Sequence, residues 1–358
     1  MKRIQYDALK KLVFDILKKG FGYSDKEADF TSLLLVEADI RNIPSHGVSR
    51  LDFYRKNLEQ GFAKPKTEPE IVYETPSSLV VDGRDGIGPY ISFFSIERLI
   101  EKAKKTCCAF CSVRNSNHYG IAGYWAEMIS KENMIGMSFT NTRACGIAVN
   151  GKRRVLGTNP IAVAIPEGAG KTFLLDMATT TVAHGKVEVY DRRKKPMPLG
   201  WAVDENGIGT TDATAFEKLF YGNPNYGGHL FLGGEGEENG GHKGYGLGLL
   251  IELLCAGLSL GAASYKTFQK GQGSGIAHFF AAFSLSLFGK PEEIKEHIGA
   301  ILKDIREGEK AQGQERIYTH GEKEAEARQK NLSEGIPIDE PTWDLLKSLS
   351  FEFGIKIQ

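Results

Sequence analysis

No stretch of about 18 consecutive apolar residues occurs in the 358-residue chain, so no membrane-crossing helix is expected. A charge excess is also missing, because 45 basic residues balance 45 acidic ones. Without a basic surplus to neutralise phosphates, nucleic acid is not an expected partner. The five cysteines are too few and too unevenly spaced for a disulfide framework. The opening "MKRIQYDALKKLVFDILKKG" sets lysines among its apolar residues and has no small-residue cleavage site. It reads as an amphipathic helix rather than a secretory signal. The expectation is an ordinary globular chain of the cytoplasm.

Several familiar motifs are near misses. "CAFC" at 108–111 has redox spacing but lies in an apolar, strand-like run with Cys107, which suits core cysteines rather than a redox pair. Zinc would need a second such pair or histidines at ligand spacing, so no metal site is expected. "EGAGKT" at 167–172 resembles a phosphate loop, but Ile165 stands where the motif needs its first glycine. A hairpin turn between "IAVAIP" and "TFLLD" is the simpler reading. "GIGPYI", "GEGEEN", "GQGSGI" and "GYGLGL" each lack the last glycine of G-x-G-x-x-G. A dinucleotide, if bound, is not held by the standard Rossmann turn.

What is present changes texture twice. Residues 1–65 read as helical, with Ser24 as N-cap, Glu27 completing a capping box, and Gly61 as a later helix stop. From about 70 to 290, short β-like runs alternate with helical segments, which argues for an α/β or α+β mixed sheet. From 291 the chain is helical and charged again. The expected organisation is a discontinuous helical domain, 1–68 plus 291–358, around a sheet domain at 69–290.

Four segments place unusual chemistry in turns. In "NIPSHGVSRLDFY", Ser45 and His46 open a helix, and Arg50 and Tyr54 follow at four-residue steps on one face. A guanidinium there can clamp a carboxylate through two parallel hydrogen bonds; the plainer alternative is a capping serine with a surface ion pair. In "NSNHYG", His118 joins a strand to a helix and could move a proton near neutrality, with Asn117 and Asn115 beside it. A structural loop histidine is the plainer reading. "GGHKGYGL" puts His242 and Lys243 at a helix start, suited to an anion or only a capped glycine loop. "GTNP" and "DMATTTV" end strands with Thr158, Asn159, Asp176 and Thr179 to Thr181, which either line a site or make turns.

Taken together, "SHGVSR", "NSNHYGIAGYWA", "GTNPIAVAIP", "DMATTTVAHGKV", "GWAVDENGIGTTD", "GGHKGYGL" and "ERIYTHGEKE" resemble, in order, the malate/L-lactate dehydrogenase type 2 family. The resemblance runs from about residue 5 to 345 and includes archaeal-type malate and sulfolactate dehydrogenases, ureidoglycolate dehydrogenase and diketogulonate reductase. It implies a non-Rossmann mixed sheet binding NAD or NADP, a helical domain from both termini, and homodimers whose sites draw on both subunits. It implies hydride transfer between the nicotinamide and a 2-hydroxy or 2-keto acid, with His118 as acid/base, a role given to His46 in some members. Arg50 would clamp the substrate carboxylate, with Ser45, Tyr54 and Asn117 nearby. Asn159, Asp176, Met177, Ala178, Thr179, Thr180, Thr181, His242, Lys243, His320, Gly321 and Glu322 would serve the dinucleotide. His320 stands where many members have proline. The pattern leans to the malate branch, and the charge and position of Arg143 suit a second substrate carboxylate. A cyclic imine reductase and a non-catalytic nucleotide-binding module are the alternatives.

Overall fold

The computed structural model describes residues 2–357. In chain order it contains β1 (Lys2–Ile4), α1 (Tyr6–Asp15), α2 (Asp25–Ile40), α3 (Leu51–Glu59), β2 (Glu70–Glu74), β3 (Ser78–Asp82), α4 (Gly88–Thr106) and β4 (Cys108–Ser116). Next come α5 (Ala122–Ser130), β5 (Met134–Thr140), β6 (Gly146–Ile147), β7 (Arg154–Leu156), β8 (Ile161–Pro166), β9 (Thr172–Met177), α6 (His184–Arg192), β10 (Ala202–Val203) and α7 (Ala213–Gly222). The last are β11 (Gly228–His229), α8 (Gly241–Glu252), β12 (Ile276–Ser284), α9 (Pro291–Glu307), α10 (Glu322–Glu334), β13 (Ile336–Ile338) and α11 (Glu340–Glu352).

The main sheet has seven strands in the order β2-β3-β4-β12-β5-β8-β9. Only β3 and β4 run parallel; every other neighbouring pair is antiparallel. β12 lies at the centre, and its run "IAHFFAAF" is continuously apolar apart from His278 because both faces of this strand are covered. Alternation sorts its side chains: Phe280 and Ala282 join α4 and α5, while Ala277, Phe279 and Ala281 join Ile251, Cys255 and Ala256. The phosphate-loop look-alike is the β8–β9 hairpin turn, with Ala169 and Gly170 at positive φ. Cys108 and Cys111 lie on β4, and all five cysteines are free.

The first twenty residues differ from expectation. The helix starts at Tyr6, and Lys2–Ile4 form a strand paired antiparallel with β13. Three residues carry too little periodicity to announce a strand whose partner is more than 300 residues away. That pairing closes a second core, in which Leu9, Val13, Ile16, Leu35 and Ile40 pack with Ile336, Ile338, Leu346 and Leu349. α2 begins with the Ser24–Glu27 capping box. A buried ion network then links α2 to both neighbours: Arg41 reaches Glu37 at 3.2 Å and Glu127 of α5 at 2.7 Å, and Arg328 of α10 reaches Glu37 at 2.8 Å. α9 attaches elsewhere, with Arg306 on Glu167 at the β8–β9 hairpin, 3.1 Å away. Among the described residues no helix is long and apolar enough to cross a membrane.

Candidate functional site

The turn between β4 and α5 holds His118, as its strand-to-helix context predicts. Its shape is set from below. Asn117 is buried, and its amide donates to the carbonyls of Phe62, Asp85 and Gly86 at 3.0–3.1 Å. Asn115, at φ 51°, donates to both oxygens of Asp82. α4 starts on Gly88, where a Cβ would collide with the backbone carbonyls of Asn117 and His118. Asn117 thus braces the turn through its amide nitrogen, while its Oδ1 is buried without a hydrogen-bond partner. Of these carbonyls, that of Asp85 also accepts from Lys64 N–H at 2.8 Å.

α3 supplies the wall against His118. The Tyr54 hydroxyl and His118 Nδ1 are 2.9 Å apart, and Tyr54 is itself buried. Phe53 meets the imidazole edge-on at 5.8 Å, and His46 stacks on it at 5.5 Å between ring centroids. His118 Nε2 has no hydrogen-bond partner among the described residues. Burial, with His46, Arg50 and His278 as nearby positive or protonatable neighbours, pulls the His118 pKa well below its ordinary value. Burial and then Arg50 lower His46 to about 4. Both imidazoles are thus neutral at pH 7, the form that accepts a proton.

The segment carrying His46 and Arg50 is not one helix. Two 3-10 turns, Pro44–His46 and Val48–Arg50, flank Gly47, and the α-helix starts only at Leu51. The expected helical face across all four residues is corrected accordingly. The cause is Asp39 of α2, whose carboxylate accepts from Val48 N–H at 2.7 Å and occupies the space a side chain at 47 would need. The turn nonetheless brings the residues together. Ser45 Oγ lies 2.9 Å from His46 Nδ1, and Arg50 Nε donates to the Ser45 carbonyl. The terminal nitrogens of Arg50 have no protein partner among the described residues. Burial lowers the Arg50 pKa from its ordinary value, opposed by Tyr54 and by Glu188 of α6. A guanidinium so placed is left free to grip an anion.

Arg143 is exposed and far in sequence, yet an aromatic chain connects it. Its guanidinium lies 5.9 Å from the Phe268 ring centroid, and Phe268 packs at 6.4 Å on Phe53. Phe53, Phe268 and Phe62 are the apolar wall that the sequence did not reveal, because each is an ordinary aromatic in its own segment. Glu188 and Asp39 were also missed, and no local pattern marks either.

The residues expected to serve a dinucleotide form one seam. Asp176, at the end of β9, accepts from Gly123 N–H at the start of α5 at 2.7 Å, just after the His118 turn. The His320 carbonyl accepts from Leu174 N–H, so Gly321 and Glu322 lie against β9 as well. Leu232 N–H donates to the Thr179 carbonyl, and Gly244 of α8 packs directly on Leu232. Met177 and Ala178 lie between these points, part-exposed. His242 and Lys243 are exposed on the first turn of α8, and Lys243 has no acidic partner among the described residues. A positive charge beside the free N–H groups of a helix start fits a diphosphate, so the residues present suit a nicotinamide dinucleotide.

Several side chains in this seam also bond within the chain. Asn159 is enclosed, with its amide donating to the Gly248 carbonyl and Glu252. The hydroxyls of Thr179, Thr180 and Thr181 donate to backbone carbonyls of Thr158, Val182 and Phe231. Their side chains shape the strand end, and the Asn159 Oδ1 is buried without a hydrogen-bond partner. Glu322 caps Thr319 N–H and pairs with Arg306 and Arg316.

Comparison with known proteins agrees over the whole chain. The family described as malate/L-lactate dehydrogenase matches residues 4–347. A malate dehydrogenase of Pyrococcus abyssi is 40% identical over 355 residues, covering 99% of this chain and 96% of that one. An L-sulfolactate dehydrogenase of Methanocaldococcus jannaschii is 36% identical over 355 residues, covering 98% and 96%. The crystal structure of malate dehydrogenase from Entamoeba histolytica superposes with a TM-score of 0.93 at 31% identity, covering 99% of each chain.

Proposed function

The chain belongs to the malate/L-lactate dehydrogenase family, and from that membership we propose that it is an NAD(P)-dependent oxidoreductase interconverting L-malate and oxaloacetate. The observation that carries this reading is one imidazole beside one free guanidinium: His118, held by Tyr54, next to Arg50 with unpartnered terminal nitrogens. The nicotinamide, when bound, supplies or accepts the hydride. The chain's own residues bind, orient and move the proton.

Arg50 grips the C1 carboxylate and fixes the reacting carbon. Neutral His118 takes the hydroxyl proton through Nε2 during oxidation, while the Tyr54 hydroxyl holds Nδ1 and the ring plane. In reduction, the imidazolium returns that proton. The substrate's negative charge offsets Arg50 and favours the protonated imidazole at that stage. Arg143, across the Phe268 wall, would take the second carboxylate of a dicarboxylic acid. The dinucleotide would lie along Asp176 to Ala178, the first turn of α8, and Gly321. It needs no doubly wound parallel sheet, since the main sheet has one parallel pair.

We also read residues 1–68 with 291–358 as a helical unit around the sheet unit 69–290, and the working form as a homodimer. Leu250, Leu253, Leu258 and Leu260 are each at least half exposed on α8 and the turn after it, more apolar surface than a lone chain needs to show. Leu250→Glu with Leu253→Glu should lower the sedimentation mass from dimer to monomer; an unchanged dimer would place the interface elsewhere.

A second reading replaces oxaloacetate by 3-sulfopyruvate, because a sulfonate also suits Arg143 and the relative from Methanocaldococcus jannaschii is named for that chemistry. The test is NADH and NADPH oxidation with oxaloacetate, pyruvate, 3-sulfopyruvate and a cyclic imine acid. Oxaloacetate should give the highest kcat/KM. Dinucleotide binding with no turnover of any of them would leave only a nucleotide-binding module.

A further inference from the structure

α6 and α7 pack side by side and bring together groups that the proton transfer above does not use. His184 and Glu188 lie one turn apart on α6, and Glu217 and Tyr221 one turn apart on α7. His184 Nε2 is 3.5 Å from Glu217 Oε1, 3.9 Å from Glu188 Oε1 and 3.2 Å from the Tyr221 hydroxyl. One ligand atom from each of His184, Glu188 and Glu217 falls within 4.8 Å of the other two. Around a zinc-sized ion, donors at about 2.0–2.2 Å stand a little over 3 Å apart, so small side-chain rotations close the set.

Two further observations point inward. Glu217 Oε1 is shielded from water and makes no hydrogen bond, although it faces His184. His229 is fully buried, and its Nε2 is 3.0 Å from His184 Nδ1 while its own Nδ1 has no partner. An imidazole pinned through one nitrogen presents the other in a fixed direction, as metal-bound histidines do. Phe220 stacks on the His184 ring at 4.2 Å and holds its plane.

The charge balance is also open. Among the described residues no lysine or arginine pairs with Glu188 or Glu217. Arg154, the cation that bears on His184, is committed to the backbone carbonyls of Phe220, Tyr226 and Gly227. Burial, with Glu188 and Asp191, pushes the Glu217 carboxyl up to about 7, and burial keeps His184 neutral. A dication would relieve that crowding.

We propose that His184 Nε2, Glu188 and Glu217 bind one divalent transition-metal ion of the zinc class, clipping α6 to α7. One nitrogen and two carboxylates suit Zn²⁺, Co²⁺ or Mn²⁺, and Tyr221 or water can complete the shell. This assignment is independent of the substrate reading. Glu188 also faces Arg50, so the ion would lie at the border of the catalytic groove.

The test is a Co²⁺ titration of the untagged, EDTA-treated full chain, followed by visible absorption, with Zn²⁺ as competitor. Saturation at one ion per chain, with displacement by Zn²⁺, is expected. His184→Ala should abolish the bands. Glu217→Gln, which keeps the side-chain shape, should weaken binding at least about tenfold, and His229→Gln by about 10–100-fold as an outer-shell change. No saturable binding, binding unchanged in Glu217→Gln, or thiolate charge-transfer bands that place the ion on cysteines would each overturn the assignment.

Discussion

At the scale of single residues, the proton carrier is the question that geometry sharpens. His118 and His46 are stacked and both neutral, and burial, then His46, disfavours protonation of His118. Oxidation of a hydroxy acid needs the neutral base, so the acid limb of kcat/KM should fall below the ordinary histidine value of about 6.5. Replacing His118 by Asn should cost about 10²–10⁴ in kcat. Replacing His46 by Asn leaves burial, the largest cause of the low His118 value, in place. The acid limb should therefore stay below about 6.5 with most of kcat retained. Loss of kcat and of the limb together in His46→Asn would make His46 the carrier. His118 was legible in the sequence because a histidine in a strand-to-helix turn is a local feature. The bracing role of Asn117, its neighbour, was not legible. A polar turn residue looks like a ligand until the carbonyls it serves, 31 to 55 residues earlier, come into place.

At the scale of elements, the site depends on how α3, α4 and the β4–α5 turn are fastened to one another. Asn117 is the fastener, joining its turn to Phe62 after α3 and to Asp85 and Gly86 before α4. Asn117→Ala removes a donor from three carbonyls, of which only that of Asp85 keeps a backbone N–H, from Lys64. Stability should drop by about 1–3 kcal/mol, read from urea unfolding with an unchanged slope. Catalysis should weaken as well, since a shift of about 1 Å in His118 is enough to matter. Stability unchanged within error would mean that other donors replace the amide. The helices and strands around this fastener were largely legible, because amphipathic periods of 3.6 and 2 state which face is buried. The two 3-10 turns at 44–50 were not. Asp39, nine residues before Val48, decides that geometry by accepting its N–H.

At the scale of the whole molecule, acid sensitivity follows from histidines enclosed without charge. Burial lowers His278 to about 3, His229 to about 3 and His46 to about 4, and pulls His118 down as well. Each has a folded pKa below its unfolded value of about 6.5, so the unfolded chain binds the extra protons. Stability is therefore full above pH 6.5 and declines as pH falls from there toward 3, at about 1.4 kcal/mol per pKa unit per group. His278 is the cleanest probe: it is fully enclosed between Thr140 and Ser116, 2.8 and 2.7 Å from their hydroxyls. His278→Gln should flatten the decline between pH 6.5 and 4 in denaturant midpoints. An unaltered pH slope would show that other groups carry it.

The sequence by itself determined the broad class and the place of most chemistry. Period-2 and period-3.6 patterns fix which segments become strands and helices, and His118, Arg50, Tyr54 and Lys243 stand in recognisable local contexts. Only the tertiary structure decided which polar groups remain free. The amide hydrogens of Asn117 and Asn159 and the hydroxyls of Thr179 and Thr180 are engaged within the chain, whereas Arg50 keeps its terminal nitrogens and Asn117, Asn159 and Glu217 each keep an unpaired oxygen. The reason is that hydrogen-bond satisfaction is a property of the packed chain. A side chain's donors and acceptors are set by its type, but the partners that consume them come from elements tens or hundreds of residues away.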